Sequence, residues 1–183
     1  MTKFVALLRG VNVAGHKKIG MPELCRSCEA LGLTEVRSYL QSGNLVFRGQ
    51  GTPADIAALL KARITQDFGH EVEVLVMPGE ELEHVVSTNP LRPQSGGDAK
   101  LYHATILFRH VSETRFAELV LPAQEGEKAA MVGRVVLLYC PHGYGKTKLN
   151  TRYFEKALGV PGTTRNWRTV LKLRDMSAGE KEK

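Results

Sequence analysis

The order of strand-like and helix-like segments in the first ninety residues constrains the fold more than any other feature. Strands are predicted over residues 3–9, 36–41, 44–47 and 72–77, and helices over 22–31 and 53–68. Pro22 suits the first turn of a helix and Gly32 its end. Ser42 and Gly43 form a two-residue connection suited to a hairpin turn. The order βαββαβ predicts an α+β protein with a ferredoxin-like first half.

A second α+β half follows a stretch rich in proline and glycine. We predict strands over 102–108, 128–132 and 135–140 and helices over 113–119, 150–158 and 165–176, the last capped by Thr164. This βαββα order, extended by a C-terminal helix, echoes the first half. The predicted division is therefore a ferredoxin-like subdomain over 1–90, a linker over 91–99 and a smaller subdomain with a basic C-terminal segment over 100–183.

Two strands are apolar on both of their faces, residues 4–8 and residues 135–138. Strands of this kind are covered on both sides. The pattern therefore predicts that the second half packs on the first.

Positive charge is concentrated near the end of the chain. The whole sequence carries a net charge of +6, and residues 142–176 alone hold eight basic residues against two acidic ones. Concentrated positive charge favours anionic partners such as phosphorylated metabolites or nucleic acid. A solvated helix surface is the simpler interpretation, and both stay open.

The sequence gives no sign of export or of a membrane span. Its early apolar run, residues 4–8, is too short and is followed by Arg9. The odd number of cysteines, with Cys25 and Cys28 three apart in a predicted helix, favours packed, reduced thiols over disulfides or zinc ligands. We therefore predict a cytoplasmic protein with no metal, no cofactor and no membrane partner, and leave its oligomeric state open.

The motifs in this sequence do not indicate a particular reaction. Gly145-Lys146-Thr147 resembles the end of a phosphate-binding P-loop, but Cys140 stands where that motif requires glycine. No serine or cysteine lies in a nucleophile motif, so the catalytic residues stay unknown and it stays open whether the protein is an enzyme. The predicted strand over residues 44–47, together with Arg48 after it, lacks the aromatic pair with which RNA-recognition sheets stack bases.

Four stretches together carry a resemblance to a known family: FVALLRGVNV from Phe4, YLQSGNLVF from Tyr39, GYGKTKL from Gly143 and TRNWRTV from Thr164. On these stretches the chain resembles the family called domain of unknown function 1697. The resemblance implies a bacterial-type cytosolic protein with a ferredoxin-like first half and a second α+β half. It implies no activity, cofactor or catalytic residue.

Polar residues in these stretches and in the adjoining loops form the candidate ligand site. The predicted ligand-binding residues are Arg9, Asn12, Lys17, Ser42, Asn44, Lys146, Lys148, Arg165 and Asn166. The leading hypothesis is a cleft between the two halves that binds a small phosphate- or carboxylate-bearing ligand. The alternative is a nucleic-acid-binding module that uses residues 142–176. A third interpretation is purely structural: Asn12 and Asn44 satisfy loop backbone, and Arg165 with Asn166 caps the last helix.

Overall fold

The described part of the chain divides into two compact units. The computed structural model describes residues 1–93 and 97–178. The first unit contains residues 1–83 and, from the last helix, residues 172–178, and the second contains residues 84–171. Residues 94–96 of the predicted linker and residues 179–183 of the predicted second half lie outside the described residues.

The first unit is built on a four-stranded antiparallel sheet. Its elements are β1 (Thr2–Leu8), α1 (Met21–Glu29), β2 (Thr34–Ser38), β3 (Asn44–Gly49), α2 (Pro53–Phe68) and β4 (Val74–Pro78), and α3 (Gly79–Thr88) begins in it. The strand order is β2-β3-β1-β4, with β1 antiparallel to both of its neighbours. The predicted α+β class is confirmed.

Amphipathic helices cover one face of this sheet. Phe4, Ala6 and Leu8 alternate along β1 and pack with the apolar faces of α1 and α2. Helix α2 begins with a capping box between Thr52 and Asp55, because each side chain accepts from the other residue's backbone N–H. Burial of these alternating side chains stabilises the unit and fixes where the loops leave the sheet.

The second unit repeats this arrangement. Its elements are β5 (Tyr102–Leu107), α4 (Glu113–Ala117), β6 (Lys128–Val132), β7 (Val135–Tyr139), α5 (Thr151–Leu158) and β8 (Gly162–Asn166), and α6 (Trp167–Ala178) follows. The strand order is β6-β7-β5-β8, again antiparallel. In both sheets the unit's first and third strands are central, and the second and fourth are at the edges.

Two sequence predictions about local structure are wrong. Residues 162–166 form a strand paired with β5, so the second unit is βαββαβ and its last helix starts at Trp167 instead of Arg165. The connection between β2 and β3 is longer than the predicted two residues, because β2 ends at Ser38 and Leu40 takes a positive φ of 59°. For residues 162–166 the physical reason is pairing with β5, a strand distant in the sequence, which local patterns do not report.

Within residues 1–93 and 97–178, none of the helices has the length and apolar composition needed to cross a membrane.

Candidate functional site

The loop after β1 is held by one asparagine side chain. Asn12 Nδ2 donates to the Ile19 carbonyl at 2.9 Å and to the Gln41 carbonyl at 2.7 Å, and its Oδ1 accepts from the Ile19 backbone N–H at 2.8 Å. Asn12 itself has a φ of 54°, a region that asparagine tolerates better than most residues. Its amide therefore satisfies loop backbone, as in the structural interpretation.

The other predicted residues of the first unit have similar contacts within the protein. Lys17 donates from Nζ to the Glu71 carbonyl at 2.6 Å. Asn44 is fully buried, and its Nδ2 donates to the Tyr39 carbonyl at 2.7 Å and to Ser42 Oγ at 2.9 Å. Arg9 directly follows the last residue of β1 and is half-buried. Asn44 and Ser42 thus hold the turn that leads into β3.

In the second unit, Lys146 and Lys148 lie exposed in the connection between β7 and α5. The sequence predicts an anion site here because a helix amino terminus leaves free N–H groups. At α5, however, Asn150 Oδ1 accepts from Tyr153 N at 3.0 Å and the Tyr144 hydroxyl accepts from Thr151 N at 3.3 Å. Partners within the protein therefore occupy part of the donor set that would bind an anion.

Arg165 and Asn166 lie in β8. Asn166 Oδ1 accepts from the Arg168 backbone N–H at 3.0 Å, which caps α6. Arg165 donates to Thr163 Oγ1 at 2.8 Å and to the Thr164 carbonyl at 3.1 Å. Burial lowers the pKa of its guanidinium to about 10. The predicted set is thus divided, five residues in the first unit and four in the second, and a ligand site shared by both stays a prediction.

The cysteines have the properties of packed thiols. Cys28 and Cys140 are buried and Cys25 is half-buried, and none is in a disulfide. Burial raises the pKa of Cys28 to about 12 and that of Cys140 to about 11. Since the thiolate is the reactive form, neither buried thiol is activated at neutral pH. Among the described residues, no group of three or more histidine, cysteine, aspartate and glutamate side chains could hold a metal ion.

Polar side chains form a chain of contacts on the helix-covered face of the second sheet. Thr164 Oγ1 lies 2.7 Å from Thr105 Oγ1 and 2.6 Å from Thr151 Oγ1. The His103 ring stacks on Tyr144 with 4.5 Å between ring centroids. Its Nε2 lies 3.4 Å from Asn166 Nδ2, and its buried Nδ1 has no hydrogen-bond partner among the described residues. Burial lowers the pKa of His103, so the ring is neutral in the native state near pH 7.

This environment predicts acid sensitivity. As the pH falls below about 6.5, the unfolded chain protonates His103 while the native chain resists protonation, so the free energy of unfolding decreases. Urea unfolding of the wild type and of His103→Gln at pH 7.5 and pH 5.5 measures this. We expect the wild type to lose more stability between the two pH values than the variant. An equal loss in both proteins would contradict the assignment.

The opposite face of the second sheet carries a row of three side chains across neighbouring strands. In the register, Tyr139 of β7 lies directly opposite Tyr102 of β5 on one side and Lys128 of β6 on the other. Leu107 and Leu138 pack with Phe154 of α5, and side chains alternate between the faces of a strand. The two tyrosines and Lys128 therefore project from the face away from α4 and α5.

This row forms one wall of a pocket of about 280 Å³. The remaining lining residues are Pro90, Leu91, Arg92 and Gly97. The tyrosine rings lie 4.8 Å apart between centroids with an angle of 35° between their planes. Arg92 and Lys128 are exposed, and the structure gives neither an ion pair within the described residues. The described lining contains two cations and no carboxylate, which favours an anion.

A larger pocket in the first unit has a different charge distribution. It measures about 630 Å³, and both signs of charge line it, including Lys3, Arg48, Arg174, Glu80 and Glu83. Arg174 lies 3.4 Å from Glu83, and Arg48 lies 2.9 Å from Glu35. These cations are already neutralised, so this pocket is less suited to an anion than the one in the second unit.

Comparison with protein families identifies the chain. The model of the family described as "Protein of unknown function (DUF1697)" matches residues 1–137. The chain belongs to the DUF1697 family. No curated protein matches this DUF1697 chain. It is similar to the solved structure of the conserved bacterial protein SP0830 from Streptococcus pneumoniae, with 24% identity, a TM-score of 0.67, and coverage of 96% of this chain and 98% of that one.

The likeness to SP0830 extends the fold beyond the family match, and it concerns the fold alone. The family match includes Arg92, Tyr102 and Lys128 of the pocket and ends two residues before Tyr139.

Sequence reasoning missed these pocket residues of the DUF1697 chain. Lys128, Tyr139 and Tyr102 are the first or last residues of three separate strands, and only the strand register aligns them. The one signal in the sequence was the pair of tyrosines at the ends of two strands, where an aromatic ring is left half-exposed.

Proposed function

We propose that this protein binds a small anionic, phosphate- or carboxylate-bearing ligand in the pocket of the second unit formed by Arg92, Tyr102, Lys128 and Tyr139. The observation that carries the proposal is the charge of the lining: two exposed cations and no carboxylate among its described residues. Hydrogen bonds from cationic side chains to an anion are stronger than neutral ones.

The order of elements supports a proposal about topology that is more specific than the α+β class. We propose that both units are ferredoxin-like, because each has the element order βαββαβ and a sheet with the unit's first and third strands at its centre. The pocket lies at one end of the second unit's sheet, where β5 and β6 begin and β7 ends.

The alternative, a nucleic-acid interface over residues 142–176, has less support. Stacking on single strands requires accessible aromatic rings. Trp167 is 2% exposed, the Tyr144 ring stacks on His103, and the Tyr153 hydroxyl donates to the Val120 carbonyl at 3.2 Å. These contacts favour the anion pocket over the basic segment.

Calorimetric titration with inorganic pyrophosphate and with citrate at low salt tests the pocket. We expect binding of at least one probe, weakened about 10-fold by Lys128→Gln, because a hydrogen bond from a charged group contributes about 1.5–3 kcal/mol. The matched control is Lys146→Gln, which removes an exposed lysine from the predicted loop of the same unit. We expect this control to change affinity less than about 2-fold.

Two results would contradict the proposal. The first is that neither pyrophosphate nor citrate binds the wild type. The second is that Lys146→Gln weakens binding as much as Lys128→Gln does. The second result would indicate that the anion binds at the loop before α5.

A further inference from the structure

We infer that the ligand of this pocket is a single nucleotide, whose base stacks on the tyrosine rings while its phosphate binds Lys128 and Arg92. The inference rests on the proposed function, since it names the ligand class of the same pocket. Its first support is the pair of rings. A small inorganic anion needs donors but no aromatic surface, whereas here Tyr102 and Tyr139 are half-exposed and both line the cavity.

The position of the rings in the fold is the second support. Tyr102 and Tyr139 lie directly opposite each other on the two central strands of a four-stranded βαββαβ sheet, on the face away from α4 and α5. Sheets of this order that bind RNA use aromatic rings on the open face to stack bases. The first unit has no exposed pair of this kind, because its two opposed aromatic residues, Phe4 of β1 and Phe47 of β3, are only 1–2% exposed in the core.

The extent of the open surface limits the ligand to one base. The neighbouring residues on the same sheet face, Ala104, Ile106 and Leu137, are 0–1% exposed. The ring pair is therefore an isolated platform at one end of the sheet, and successive bases of a strand would have no further surface. The volume of about 280 Å³ is just below the range of about 300–1,000 Å³ typical of small-molecule pockets.

Two cationic side chains next to the rings are placed to bind the phosphate of a nucleotide. Lys128 stands directly across from Tyr139 in the sheet, where paired side chains have Cβ atoms about 5 Å apart. Arg92 lines the same cavity from the segment before β5. A base on the rings thus places an attached phosphate within reach of two cations.

The test compares four probes in calorimetric titrations: adenosine 5′-monophosphate, adenosine, inorganic pyrophosphate and an oligothymidylate of twelve nucleotides. We expect the mononucleotide to bind at least about 10-fold more tightly than pyrophosphate, because stacking adds to phosphate binding. Adenosine should bind more weakly than the mononucleotide. The oligothymidylate should bind no more tightly than the mononucleotide.

Variants separate the two contributions. Tyr102→Leu and Tyr139→Leu should each weaken mononucleotide binding about 10-fold while leaving pyrophosphate affinity unchanged. Lys128→Gln should weaken the binding of both ligands. Tyr102→Phe keeps the ring and removes only the hydroxyl, so it should retain more of the mononucleotide affinity than Tyr102→Leu does. Thermal unfolding of each variant verifies that the sheet is intact.

Each contrary result has a distinct meaning. If pyrophosphate binds as tightly as the mononucleotide and the leucine variants change nothing, the nucleotide inference is wrong and the anion pocket stands. If the oligothymidylate binds more tightly, with a log–log salt slope of about −0.7 per phosphate, the ligand is a single strand and the inference is wrong. If none of the four probes binds, the nucleotide inference is wrong, and if citrate does not bind either, the anion pocket is wrong as well.

Discussion

Gly43→Ala should destabilise the protein by about 2–5 kcal/mol. Gly43 has a φ of +84°, and a Cβ there would lie 2.7 Å from Leu8 Cβ and 2.8 Å from Val11 Cγ2. An L-residue in the left-handed region costs about 1–2 kcal/mol, and overpacking adds about 1–3 kcal/mol. Leu8 belongs to central strand β1, so its Cβ has no room to move away. Urea unfolding with a linear extrapolation measures the loss.

The matched control for this prediction is Gly10→Ala. Gly10 has a similar φ of +69°, but no atom lies within 4 Å of the position that an added methyl group would take. The control therefore carries the backbone cost of about 1–2 kcal/mol and the same entropy change in the unfolded chain. We expect Gly43→Ala to cost more than Gly10→Ala by the steric part. Equal losses would show that the turn relaxes freely around residue 43.

Asn44→Asp should cost about 4 kcal/mol at pH 7. The fully buried amide of Asn44 donates to the Tyr39 carbonyl, and an ionised carboxylate cannot donate. Protonating the introduced carboxyl at pH 7 costs about 1.4 kcal/mol for each pH unit above its ordinary pKa of about 3.9. The penalty relative to the wild type should therefore shrink by about that amount per pH unit as the pH is lowered toward 4.5. Urea unfolding at pH 7 and pH 4.5 measures both values.

Asn44→Ala is the control without a titrating group. It removes the hydrogen bonds at the same buried position and should cost about 1–3 kcal/mol, with no change of this penalty between the two pH values. A penalty below about 1 kcal/mol for Asn44→Asp at pH 7 would contradict the structural role of Asn44. It would support the ligand role that the sequence predicted.

Segments with strong apolar periodicity were predictable from the sequence. Helix α2 was predicted over residues 53–68, as observed, because proline begins it and Gly69, with a φ of 70°, ends it. Strand β8 was not predictable, since its residues Gly-Thr-Thr-Arg-Asn contain no apolar side chain. It forms through backbone pairing with β5 and through the hydroxyl contact between Thr105 and Thr164.

The candidate site was predictable in part. Sequence patterns singled out polar residues such as Asn12, Asn44 and Asn166, and the structure gives each of them hydrogen bonds to backbone. The pocket residues could not be predicted from the sequence. Tyr102 and Tyr139 are far apart in the sequence, and a shift of the register by one residue would move one ring to the helix-covered face.

Chemical-shift mapping tests the central claim, an anion pocket on the sheet of the second unit, most directly. Adenosine 5′-monophosphate is added to isotope-labelled protein while backbone amide and tyrosine ring signals are recorded. We predict that the largest shift changes lie at Arg92, Tyr102, Lys128 and Tyr139. Unchanged signals at these four residues, with changes instead in residues 10–20 and 143–148, would contradict the account and favour the loops as the site.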